Sequence, residues 1–185
     1  ERPTRRYRTS SVSRDCPVSQ VRGENPRGMT GRAPRVAVVV AHPDDETIWA
    51  GGQLLSNGSW DSFVVTLCRG DDGDRAPRFR RALEALGAQG AMAPADDSPD
   101  QPPLPDAEVQ AVIGGVLPPG RFDLVFTHGP QGEYTRHRRH EEVSRAVTAL
   151  WESGRLDCAE LRMFAYCDDG GAREPHARED AHRLV

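Results

Sequence analysis

Two segments of this chain combine the residue types that hydrolytic chemistry needs. His42-Pro43-Asp44-Asp45-Glu46 places an imidazole and consecutive carboxylates at the end of an apolar run. His137-Arg138-Arg139-His140 places two imidazoles three positions apart, which brings them to neighbouring positions on one helical face. Together they offer two histidines and a carboxylate for a metal, with a second carboxylate close by. A catalytic zinc commonly takes three protein ligands and keeps its fourth position for water. It lowers the pKa of that water to about 7 in favourable cases and polarises a carbonyl, so a neighbouring carboxylate can take the proton. The chemistry implied is metal-assisted hydrolysis of an amide or ester. Neither segment demands it alone. Acids at a helix start also serve as caps at its positive end, and an isolated HxxH in an Arg-rich helix carries little weight.

The surrounding elements must position these residues. RVAVVVA (35–41) is a continuous β-branched run, suited to a strand buried on both faces of a parallel sheet. DDETIWAGGQLLSNG reads as a helix stopped at Asn57-Gly58. SFVVTLC is a second buried strand, and APRFRRALEALG an amphipathic helix closed by Gly87. Residues 93–106, rich in Pro and Asp, read as a surface loop. AEVQAVIGGVL is a helix, FDLVFTH a strand, HEEVSRAVTALWESG a helix ending at Gly154, and ELRMFAYC a last strand. This alternation predicts an α/β, Rossmann-like layered fold with a mostly parallel sheet flanked by helices. Ligands in such folds bind beyond the carboxyl ends of the strands. AHPDDE, RGDDGDR and HGPQGEYTRHRRH all fall there, so chance becomes the poorer explanation for the two segments.

Residues 1–34 are Arg-rich without apolar periodicity and read as a disordered leader. They hold no apolar stretch of a secretory signal, and Met29 stands just before the first strand as a natural start. An ordered domain over 35–170 and a polar tail over 171–185 follow. No apolar run approaches the roughly 18 residues of a membrane span. A net charge of −4 speaks against nucleic acid as a partner. The four cysteines lack CxxC pairing, as expected of reduced thiols in a cytoplasmic chain. No GxGxxG follows the first strand, which excludes dinucleotide binding of that type. A small-molecule substrate is expected, and nothing in the sequence sets an oligomeric state.

AHPDDE after a first strand, with a late HxxH after THGPQGEY, resembles the PIG-L/LmbE-like family of zinc-dependent N-acetylglucosaminyl deacetylases, from about Val36 to Asp168. The resemblance implies one Zn²⁺ per chain, held by His42, Asp45 and His140. It implies Asp44 as general base, and His137 as the group that stabilises the tetrahedral oxyanion or protonates the leaving amine. It also implies an arginine that helps hold the sugar, best matched by Arg75 and less well by Arg69; the plain alternative for Arg75 is a solvated loop charge. The implied reaction removes an N-acetyl or similar N-acyl group from an amino-sugar glycoside. A metal-dependent amidase on a larger conjugate and a non-catalytic sugar-binding relative are the alternatives. The chain departs from the family pattern in places. HRRH stands where HPDH is usual, and one more residue separates Tyr134 from the first histidine, which moves it from the family tyrosine's place. The tail is either a compact ending or a truncated C-terminal part. Arg138 and Arg139 are expected to face solvent, and His176 and His182 to be solvated. His128 is expected to make a structural hydrogen bond, and Trp49 and Cys68 to belong to the core.

Overall fold

The computed structural model describes the backbone of residues 8–10, together with residues 31–98, 100–133, 136–178 and 181. In chain order the elements are β1 (Arg8–Ser10), β2 (Arg35–Val40), α1 (Gly51–Ser56), β3 (Asp61–Cys68), α2 (Arg75–Leu86) and β4 (Gln89–Ala95). There follow α3 (Asp106–Val116), β5 (Leu124–Thr127), α4 (Arg138–Glu152), β6 (Leu161–Phe164), β7 (Tyr166–Cys167) and β8 (His176–Ala177). Strands β1 to β6 form one sheet in the order β1-β6-β5-β2-β3-β4, parallel throughout. This is the α/β, Rossmann-like layered fold that the alternation predicts.

The valine run takes the centre of the sheet because both of its faces are apolar. Val36, Val38 and Val40 pack with Leu54, Phe79 and Leu83 from α1 and α2. Ala37 and Val39 pack with Ile113, Val143 and Val147 from α3 and α4. Successive side chains of a strand point to opposite faces, so one uninterrupted run feeds two cores. From β2 the chain steps outward through β3 to β4, and α3 then carries it back to β5 on the other flank of β2. Such a reversal leaves a crevice at the carboxyl ends of the two central strands. Val39 pairs with Thr127, so Ala41-His42 and His128-Gly129 leave the sheet side by side. That single topological fact brings the two chemical segments together.

The structure departs from the sequence reading at four places. The turn Glu46–Ala50 is π-helical and precedes α1, a conformation that is rare and frequent at functional sites. The segment expected to be loop from residue 93 begins inside β4. Gln89–Ala95 lacks β-branched residues, but it is the sheet edge, where the missing N–H of Pro94 is tolerated. The run expected as one last strand stops at Phe164, and Tyr166–Cys167 turns away to pair antiparallel with His176–Ala177. Within the expected leader, Arg8–Ser10 pairs with β6, whose outer edge offers unpaired backbone groups; the leader up to residue 30 otherwise lies outside the described residues. Cys68, Cys158 and Cys167 form no disulfide, and Cys16 lies outside the described residues. Among the described residues no helix is long and apolar enough to cross a membrane.

Candidate active site

The site begins with a tight turn at the end of β2. The Asp44 and Asp45 N–H groups both donate to the His42 carbonyl, at 3.0 and 3.3 Å. Asp45 Oδ2 accepts the His42 N–H at 2.9 Å. Its side chain is therefore folded back toward the strand, and it makes no helix-capping bond. Asp44 stays half exposed, with Oδ2 3.2 Å from an Arg75 guanidinium nitrogen. One carboxylate goes inward and its neighbour stays at the rim.

Three polar atoms converge on the inward side. His42 Nδ1 lies 3.1 Å from Asp45 Oδ2 and 3.2 Å from His140 Nε2, and His140 Nε2 lies 3.3 Å from Asp45 Oδ2. A tetrahedral ion with bonds of about 2.0–2.1 Å requires ligand pairs about 3.3 Å apart. The triangle fits a divalent cation with little adjustment. Burial by itself would raise the Asp45 carboxyl, but the imidazoles of His128, His140 and His42 beside it outweigh burial and hold the group far below the usual carboxylate range. The oxygen presented to a cation is thus ionised.

Each histidine of the triangle is held from behind by a carboxylate. His42 Nε2 meets Asp97 Oδ1 at 2.9 Å, and His140 Nδ1 meets Glu133 Oε2 at 2.6 Å. Histidines that bind metals almost always donate their second ring N–H in this way, which fixes tautomer and orientation. Asp97 also accepts from Arg69 Nε at 2.9 Å. Burial opposes its charge, but His42 and Arg69 more than compensate, and its pKa falls. Glu133 behaves alike: burial is outweighed by His128 and His140, and its pKa drops to about 2. Its second oxygen accepts the Gly129 N–H at 2.8 Å. A Cβ at Gly129 would stand 2.6 Å from the Phe164 carbonyl oxygen, so only glycine lets the chain pass there. His128 accepts the Ala41 N–H on Nε2 at 2.9 Å, the structural bond expected of it. Its Nδ1 lies 2.9 Å from Glu133 Oε2.

Asp97 and Glu133 were not among the residues singled out in the sequence. HGPQGEY contains Glu133 but gives no sign of its direction, and Asp97 lies in a Pro- and Asp-rich stretch that reads as loop. A measurable consequence follows from their contacts. Asp97→Asn is expected to weaken divalent-metal affinity by about 10–100-fold, read by competition with a chromophoric chelator. Unchanged affinity would mean that Asp97 does not orient His42.

The remaining site residues fall into place around this centre. The His137 ring lies 4.6 Å from that of His42 and 4.9 Å from that of His140. Burial, then the charges of His42 and His140, hold its pKa below the ordinary histidine value. Arg75 opens α2 and reaches Asp44; Arg69 is engaged instead by Asp97 and Asp72. Cys68 is buried near His42 and Asp97, and burial pushes its thiol up to about 12. Trp49 is in the core, against Phe164 and Tyr166. The expectation that both arginines of HRRH face solvent is corrected. Arg139 is fully buried, paired with Glu142, and donates to the carbonyls of Asp96 and Pro102 at 2.9 and 3.2 Å. Arg138, although exposed, donates to the Gln101 carbonyl. Both fasten the loop that carries Asp97. Tyr134 lies outside the described residues.

Residues 37–151 match the family described as PIG-L, GlcNAc-PI de-N-acetylase. The chain belongs to the PIG-L family. The match spans β2 to α4 and includes both chemical segments and the loop between them. Membership places the chain among deacetylase-type hydrolases. No curated protein matches the chain.

Proposed function

We propose that this chain is a zinc-dependent hydrolase that removes an N-acetyl or similar N-acyl group from an amino-sugar glycoside such as an N-acetylglucosaminyl conjugate. The observation that carries the reading is the triangle of His42 Nδ1, Asp45 Oδ2 and His140 Nε2, with sides of 3.1–3.3 Å, beside a carboxylate not used in it. A binding protein would need the triangle at most. Asp44 is the surplus that hydrolysis requires. His42, Asp45 and His140 hold one ion; when bound, it supplies Lewis-acid polarisation of the amide carbonyl and acidifies the attacking water. Asp44 takes the water proton, its carboxylate oriented by Arg75 at 3.2 Å, which also meets the sugar. His137 stabilises the developing oxyanion or passes a proton to the leaving amine. Its buried Nδ1 has no hydrogen-bond partner among the described residues, as suits a group that waits for substrate. The lack of CxxC pairing among the four cysteines accords with a cytoplasmic setting.

The test combines metal analysis of the purified protein with an acetate-release screen over N-acetylamino-sugar glycosides. Expected are bound zinc, free amine and acetate in equal amounts, loss on chelation, and return with Zn²⁺. Release of a bulky acyl group without acetate would assign the same chemistry to a larger conjugate. Metal binding with no hydrolysis of any amide would overturn the enzyme reading.

A further inference from the structure

A second set of metal-ligating side chains stands outside this centre. β7 and β8 pair so that Cys167 lies directly opposite His176, and cross-strand partners present their side chains to the same face. Cys167 Sγ is 3.4 Å from His176 Nε2 and 3.8 Å from Asp169 Oδ1. All three ligand atoms lie within 4.8 Å of one another. Bonds of about 2.3 Å to sulfur and 2.0–2.1 Å to nitrogen or oxygen put tetrahedral ligand pairs about 3.5 Å apart. The sulfur–nitrogen and sulfur–oxygen distances lie close to that value. The tautomer agrees as well. His176 Nδ1 lies 3.1 Å from the Glu174 carbonyl, which can only accept, so Nδ1 carries the proton and the Nε2 lone pair faces the sulfur. The other oxygen of Asp169 is held by Arg173 at 3.3 Å. The turn itself is fixed by Gly170 N–H donating to Asp168 Oδ1 at 3.0 Å. His176, expected from sequence to be solvated, is therefore an organised partner of Cys167.

We propose that Cys167, Asp169 and His176 form a second cation site, selective for a borderline ion such as Zn²⁺. A thiolate ligand disfavours Mg²⁺ and Ca²⁺, which take oxygen, while sulfur, imidazole and carboxylate together suit zinc. Three protein ligands leave a coordination position free. Cys167 and Asp169 also line a cavity of about 470 Å³, shared with Gln131, Gly132 and Arg136. Gly132 precedes Glu133, so the cavity borders the loop that holds His140. An ion there would bind an anionic or soft ligand in that cavity.

The experiment loads the metal-free full chain with Co²⁺ and follows the near-ultraviolet sulfur-to-cobalt charge-transfer absorption. Ligands from His42, Asp45 and His140 contain no sulfur and cannot give it. The band is expected in the unaltered chain, together with a second bound equivalent beyond the first centre, and is expected to persist in Asp97→Asn and in His140→Ala. It is expected to vanish in Cys167→Ser and to shift in Asp169→Asn, which keeps the thiol and controls for a fold change in the serine variant. Absence of the band at saturation, or its survival in Cys167→Ser, overturns the proposal and reduces the pair to a thiol–imidazole hydrogen bond. Neither result bears on the His42–His140 centre.

Discussion

Asp44→Asn is expected to lower kcat by about 10²–10⁴-fold, the range that a positioned general acid or base contributes, while bound metal stays unchanged. Asparagine preserves the shape of the side chain and can still meet Arg75, but it cannot take a proton. The inward ligands are separate from it: Asp45 alone of the two aspartates meets His42 and His140. Steady-state kinetics on an N-acetylamino-sugar glycoside, paired with metal analysis of the same preparation, decides the matter. A large fall in kcat with full metal content assigns Asp44 to the chemical step. A change of only a few-fold would remove it from that step, and equal loss of metal would make it a ligand. Arg75→Met is expected to show a smaller fall, because the Asp44–Arg75 pair is exposed on both sides and such pairs contribute little by themselves. Its effect should fall on KM if the guanidinium also meets the sugar.

The second large effect concerns stability. Arg139→Ala is expected to cost roughly 3–5 kcal/mol, the range seen when one partner of a buried ion pair is removed. Glu142 is 1 % exposed and would be left as an uncompensated charge. Two loop carbonyls, of Asp96 and Pro102, would lose their donor at the same time. Urea unfolding of the two proteins measures the difference, and a loss below about 1 kcal/mol would show that the pair is not as dry as its burial implies. Replacing both partners, Arg139→Met with Glu142→Leu, should recover most of the stability, since apolar residues of similar volume often equal a buried pair. It should not restore metal affinity. Glu142 also accepts the Leu104 N–H at 3.0 Å, so the double variant frees both ends of the loop that carries Asp97. Stability and metal binding would thereby separate, as expected if the pair serves the site as well as the fold.

The sequence by itself determined the elements whose signals are local. A valine run can only be buried on both faces, an Asn-Gly or a lone Gly after an amphipathic stretch can only end a helix, and strand–helix alternation leaves few folds. It also determined the two segments with chemistry, because Asp44 and Asp45 are adjacent and His137 and His140 share one helical start. Tertiary structure decided what each of these residues touches. β4 was illegible because edge strands need neither β-branched residues nor a full set of donors, and Gln89–Ala95 has no β-branched residue and lacks the N–H of Pro94. Asp97 and Glu133 were illegible as site residues because their roles depend on His42 and His140 arriving opposite them. That arrival follows from the reversal of strand order between β2 and β5, which no local pattern encodes. Arg139 shows the same limit from the other side. Its charge and its surroundings in HRRH indicate solvent, and only the loop from β4 folding over α4 supplies the carbonyls that, with Glu142 of the same helix, make its burial tolerable. Local spacing selects residues; the order of the strands selects their partners.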